Sequence, residues 1–144
     1  MDNSAPIALP DVNVLVALSL PSHINHTAAV DWSNKVNKFA LTPVTESGLI
    51  LLLMNPAVSG TRISITDAVG AVEDLRADPD CKFWPDDASF TNPKFPYTAI
   101  TGCRQVTDFH LLNLAIQNGG VLVTFDRRIL AAVPTDVHKH IEIL

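Results

Sequence analysis

Four carboxylates in this chain stand where elements of opposite type meet: Asp11, Glu46, Asp108 and Asp126. Asp11 follows the short apolar run Ile7–Pro10, and Glu46 follows a second run, Lys38–Pro43. Asp108, with Thr107, opens a helical stretch that stops at Gly119-Gly120, and Asp126 closes the run VLVTF. Four such groups gathered at one edge repel strongly unless cations neutralise them. Hard oxygen ligands select Mg2+ or Mn2+ over the metals that prefer thiolate or imidazole. Those ions polarise a phosphoryl oxygen and make a nucleophile of bound water. Each acid also has a small hydrogen-bonding neighbour: Asn13 beside Asp11, Thr45 beside Glu46, Thr107 beside Asp108, and Thr124 before Asp126. Donors of this kind orient ligating oxygens. Taken singly, each acid has a plainer reading, because Asp, Asn and Thr routinely cap helices and close turns. Only the four together point to a site.

The stretch from Thr101 to Ile129 carries the clearest positioning elements. Thr107 or Asp108 can cap a helix, since a short side-chain oxygen accepts from the free amides of the first turn. Leu111, Leu112, Ala115 and Ile116 follow at helical spacing. Gly119 suits the left-handed position after a helix end. Val121–Phe125 shows no polar alternation, which predicts a strand covered by helices on both faces. Asp126 then sits at the carboxyl end of a buried parallel strand, the edge where open α/β sheets bind ligands.

The other elements repeat this alternation. Ile7–Pro10 predicts a strand, and Val12, Leu15 and Leu18 a helix that stops before Pro21. Ser22–His26 reads as a turn, and Ala29, Trp32, Ser33 and Val36 share one face of a second helix. Lys38–Pro43 is a second strand, and Glu46–Asn55 a third helix, apolar nearly all round. Such a helix is buried on more than one side, so part of it can face a second subunit. Ser64 and Asp67 have capping-box spacing for a fourth helix. Lys82–Trp84 is a strand, Asp86–Thr98 a loop or short irregular helix, Arg127–Ala132 a short helix and His140–Leu144 a terminal strand. Strands alternating with helices imply an α/β fold, a mainly parallel sheet in a three-layer α/β/α sandwich. Right-handed crossovers bring the carboxyl ends of its strands, and the four acids, to one edge.

With 144 residues, 47% of them hydrophobic and 17% charged, residues 1–144 make one compact domain. The longest apolar run, Leu49–Met54, is far short of a membrane span. No basic-then-apolar leader opens the chain, which favours the cytoplasm. Cys81 and Cys103 lie in no metal or redox spacing and read as two buried thiols. A net charge of −5 argues against broad nonspecific nucleic-acid binding. It leaves room for chemistry on bound cations, which invert the local field. Arg104, Arg127 and Arg128 can supply a basic rim for RNA phosphates, or be ordinary surface arginines. His23 and His26 have no third ligand beside them and read as structural, while His138 and His140 read as exposed. Nothing marks a Ser-His-Asp or Cys-His nucleophile, or a phosphate-cradling Gly-rich loop.

The segments DVNVLVAL, TPVTESG and RQVTDFHLLNLAIQNGGVLVTFD resemble the PIN-domain ribonucleases, specifically the VapC-type toxins of bacterial toxin–antitoxin pairs. SHINHTAAVDW and FWPDD look like the actinobacterial branch, and the likeness runs from Ile7 to about Leu130. The resemblance implies a metal-dependent endoribonuclease, homodimeric and inhibited by a cognate antitoxin. It places the metal carboxylates on Asp11, Glu46, Asp108 and Asp126, a polar companion on Asn13 and a strand hydroxyl on Thr124. His110 departs from the pattern, which usually has an aliphatic or aromatic residue there, and reads either as facing the cleft or, in preference, as a partly exposed helix-surface histidine. Two rival classes remain. A receiver-like signalling domain would need an acidic pair after strand one and a lysine after the last strand, and the chain has neither. A non-catalytic binding module acting through its antitoxin complex is disfavoured by the intact carboxylates.

Overall fold

The structure, a computed structural model, describes residues 5–144. Five short strands form one sheet: β1 (Ala8–Pro10), β2 (Phe39–Leu41), β3 (Cys81–Phe83), β4 (Val121–Thr124) and β5 (Ile141–Ile143). Their order is β3-β2-β1-β4-β5 and every pairing is parallel. β1 lies in the centre, with Leu9 opposite Leu122 and Pro10 opposite Val123. The chain winds outward from β1 in one direction through β2 and β3, and in the other through β4 and β5. The crevice between the carboxyl ends of β1 and β4 is therefore the topological switch point, where α/β sheets open to ligands.

Side chains alternate across the sheet, so each face builds its own core. Ala8, Phe39, Leu41 and Val123 pack beneath α1 (Val12–Ser19), α2 (His26–Lys35), α3 (Pro43–Leu53) and α5 (Ile65–Arg76). Leu9, Ala40 and Leu122 pack beneath α6 (Val106–Gln117), with Trp84 and Phe95 from the long loop and Ile129, Val133 and Val137 from the C-terminal segment. The result is the three-layer α/β/α sandwich that the alternation predicts. Among the described residues, no helix is long and apolar enough to cross a membrane.

The boundaries differ in instructive places. α3 starts at Pro43 rather than Glu46, because Thr42 caps it and Pro43 at the first position costs no hydrogen bond. It ends at Leu53, since Asn55 caps a separate short helix, α4 (Pro56–Ser59). α2 starts at His26, three residues before the apolar face begins. β3 ends one residue early, leaving Trp84 to turn into the core. Ser64 caps α5 as its spacing predicts, accepting from the Asp67 amide at 3.1 Å. Arg127–Ala132 and Thr135–His140 are 3-10 turns, and the terminal strand starts after His140.

Gly119 has φ of 66°, the left-handed conformation expected there. Gly120 is needed for space: a Cβ would lie 2.5 Å from the Ile7 carbonyl oxygen and 2.7 Å from the Trp84 ring. That close approach lets the α6–β4 turn run onto the start of β1.

Candidate active site

Asp11 ends β1 and turns directly into α1. Its amide extends the β1–β4 ladder by donating to the Val123 carbonyl at 2.9 Å. Its carboxylate caps α1, accepting from the Val14 amide at 2.9 Å. The group is only 2% exposed. Burial pushes its pKa up, hydrogen bonds from Thr124 and from the Val14 and Asn13 amides partly offset this, and the charge of Asp126 raises it further. Thr124 joins the two strands, because its hydroxyl hydrogen-bonds to Asp11 and accepts from the Asp126 amide at 3.0 Å.

Asp108 approaches from the other side of the crevice. Neither it nor Thr107 caps α6, contrary to the sequence expectation. A 3-10 turn over Cys103–Gln105 leads into the helix, and the Gln105 side chain accepts from the amides of Thr101 at 2.8 Å and Gly102 at 3.0 Å. The 3-10 turn runs straight into α6, with the Val106 amide donating to the Cys103 carbonyl, so the helix opens without Asp108, which lines the cleft. Burial, then the charges of Asp11 and Asp126, raise its pKa from 3.8 to about 6. Three aspartates from β1, β4 and α6 therefore sense one another's charge.

Asp126 holds its charge for a local reason. Arg128 grips its carboxylate with Nε and Nη2, both at 2.9 Å, and the Arg128 amide adds a bond of 3.0 Å. This fork lowers the Asp126 pKa. Glu46 stands apart from the three aspartates. It lies in the first turn of α3 and pairs with Arg76 at 3.4 Å, while Arg76 also stacks 4.6 Å over the Phe83 ring.

The cleft encloses about 230 Å³ between Asp108, Phe109, Asp126 and Ile129, with Arg104 and Arg128 at its edges. Arg127 is exposed but does not line it. Among the described residues, no three acidic, histidine or cysteine groups form a ready-made ion cage. Arginines occupy two of the carboxylates, Arg128 on Asp126 and Arg76 on Glu46. The donor chemistry nonetheless fits a hard cation: three coupled oxygen ligands, two of them with pKa values raised by burial and mutual repulsion.

Of the four small neighbours, Thr124 alone has its hydroxyl on a site carboxylate. Thr45 is turned to the Thr42 backbone, donating to its carbonyl at 3.1 Å and accepting from its amide at 3.0 Å. Asn13 reaches Asp11 through its amide, and Thr107 is exposed. The histidines also require corrections. His138 and His140 are half-buried rather than exposed, each holding a backbone carbonyl, Leu130 at 2.8 Å and Gly120 at 2.9 Å. His26 does the same for Ala17 at 2.7 Å, and His23 accepts from the Asn25 amide, so both are structural as read. His110 is 18% exposed and faces Asp86, a residue the sequence reading left in a loop. The two thiols are not buried either: Cys103 is exposed and Cys81 half-buried.

A parallel sheet with acids at its central switch point and a third on the facing helix defines a class of protein. The chain belongs to the PIN-domain family, which matches residues 8–134. Among its relatives, Ribonuclease VapC38 of Mycobacterium tuberculosis (strain ATCC 25618 / H37Rv) is 39% identical over 140 residues, 96% of this chain and 98% of the relative. Ribonuclease VapC39 of the same strain is 38% identical, covering 83% of this chain and 88% of its own. Ribonuclease VapC44 is 31% identical, covering 95% and 99%.

Proposed function

We propose that the chain is a Mg2+- or Mn2+-dependent endoribonuclease, the toxin of a type II toxin–antitoxin pair. The observation that carries this is the coupling of Asp11, Asp108 and Asp126 across the switch point. The ribonuclease names of relatives that span nearly the whole chain agree with it.

Asp11, Asp108 and Asp126 would hold the cation, with Glu46 joining them from the start of α3. The ion supplies Lewis acidity at a phosphoryl oxygen and a water made nucleophilic near neutral pH. The protein's own part is positioning and charge. Thr124 and the Val14 amide fix the Asp11 carboxylate in one orientation. Phe109 and Ile129 form the apolar wall of the cleft, where electrostatic interactions strengthen as water is excluded. Arg104 and Arg127, both exposed, supply positive charge for RNA phosphates. Arg128, which now holds Asp126, would have to give up that pairing for the carboxylate to take a cation.

The remaining proposals are a homodimer, a cognate antitoxin as partner and action in the cytoplasm. Leu51, Met54 and Val58 support the first, forming an exposed apolar strip along α3 and α4. The functional test is cleavage of single-stranded RNA by purified, antitoxin-free protein in Mn2+, against the same protein in EDTA. Cleavage that needs the cation and disappears in Asp11→Asn is expected. Equal cleavage in EDTA would refute the metal role, and RNA binding without any cleavage would favour a non-catalytic module.

A further inference from the structure

The loop from Pro85 to Tyr97 hides a polar junction between the two helices that carry Glu46 and Asp108. Asp86 receives three bonds there. Its Oδ1 accepts from the Thr42 hydroxyl at 2.5 Å and pairs with His110 Nε2 at 3.2 Å, and its Oδ2 accepts from the Val44 amide at 2.9 Å. Thr42 and Val44 are the cap and first turn of α3, and Glu46 follows two residues later, its own amide bonded to the Thr42 carbonyl at 2.9 Å. His110 lies on α6 two residues after Asp108. One carboxylate thus ties the start of α3 to the first turns of α6. The junction is sheltered, with Asp86 and His110 side chains 19% and 18% exposed and the Phe90 ring beside the imidazole.

Resting on the ribonuclease reading, we infer that Asp86, through His110, is a positioning residue that sets the spacing between the helix starts that carry Glu46 and Asp108. Anchoring the loop does not require this junction. Asn113 holds the loop by accepting from the Lys94 amide at 2.7 Å and donating to the Ser89 carbonyl at 3.2 Å, and Gln117 donates to Asp87 at 2.8 Å. What Asp86 adds is a charge at the positive end of α3 and a fixed distance to α6. Ligand oxygens on separate helices keep a cation's geometry only if those helices do not slide.

The test compares Asp86→Asn, His110→Leu, His110→Gln and Gln117→Ala with wild type. RNA cleavage in Mn2+ gives kcat and KM, and calorimetry without RNA gives the Mn2+ dissociation constant. Asp86→Asn keeps the shape but replaces one acceptor oxygen with a donor. Its kcat is expected to fall about 10- to 100-fold with KM nearly unchanged, as for a misplacement of about 1 Å. Its Mn2+ dissociation constant should rise about 10-fold. His110→Leu should show the same pattern, and His110→Gln, which retains an N–H donor, should recover part of it. Gln117→Ala should leave both measurements as in wild type. Wild-type kcat and Mn2+ affinity in a folded Asp86→Asn would overturn the inference, as would an equal loss in Gln117→Ala. If Asp86→Asn does not fold, the His110 pair decides: equal kcat in the Leu and Gln variants would overturn it. A wild-type protein that binds Mn2+ but cuts no RNA would instead remove the ribonuclease reading, and the Mn2+ affinities would then decide the positioning role alone.

Discussion

Removing the negative charge of Asp108 should stabilise the metal-free protein while destroying its site. In the folded chain this carboxyl keeps its proton up to about pH 6, against an ordinary value of 3.8. Between those values the folded state binds more protons than the unfolded one, so stability falls as pH rises through the window and is flat above it. The full shift corresponds to about 3 kcal/mol. Asp108 is partly open to solvent at the cleft, and screening reduces that to about 2 kcal/mol. A charge in the first turn of α6 also gains about 0.3–1 kcal/mol from the helix dipole, which sets the lower end near 1. Asp11 contributes with the same sign, since burial raises it too. Asp126 has the opposite sign, because Arg128 lowers its pKa, and its contribution is lost only as pH falls below 3.8. In EDTA at neutral pH, Asp108→Asn should therefore be more stable than wild type by about 1–2 kcal/mol, or roughly 2–8 °C in melting temperature. The difference should vanish as pH falls to 3.8. Urea unfolding followed by fluorescence of the buried Trp32 and Trp84 measures it. Equal stability at neutral pH, or a less stable variant, would refute the claim that Asp108 is strained by burial and its acidic neighbours.

Other consequences follow from the same charges. Mg2+ and Mn2+ should raise the melting temperature, Mn2+ more, by about 2.7 kcal/mol of stabilisation at a hundred times the dissociation constant; Asp126→Asn should blunt the rise in a thermal-shift measurement. Arg128→Gln frees Asp126 from its fork, so calorimetry should show several-fold tighter Mn2+ binding at low salt, with the gain shrinking as salt is added. Leu51, Met54 and Val58 are exposed along α3 and α4, so light scattering should give a dimer of the 15.6 kDa chain, and Leu51→Glu a monomer.

The sheet was legible because its signals are local. VLVTF has no polar face, Gly119-Gly120 ends the preceding helix, and Asp126 falls where such a strand must emerge. The aspartates at the switch point follow from that alternation and the handedness of the crossovers. Boundaries were harder where two signals competed. Glu46 drew the start of α3 to itself, although Thr42-Pro43 is the stronger opening, a cap followed by a proline. Asp108 looked like a cap because nothing in the sequence reveals that a 3-10 turn over Cys103–Gln105 runs into the helix ahead of it. Asp86 was missed because its partners lie 44, 42 and 24 residues away, beyond any periodicity. Asp86 opens a stretch that reads as loop or short irregular helix, and only the packed structure shows its carboxylate between two helices. The pairing of Glu46 with Arg76 was hidden in the same way, since α5 reaches α3 only in three dimensions.

The most direct test of the site is anomalous diffraction from crystals of the antitoxin-free protein soaked in Mn2+. An anomalous peak is expected between the carboxylates of Asp11, Asp108 and Asp126, with Glu46 turned toward it and the Arg128 side chain withdrawn from Asp126. A fully soaked crystal with no peak there, Arg128 still gripping Asp126 and Glu46 still on Arg76, would contradict the reading of these acids as a metal centre.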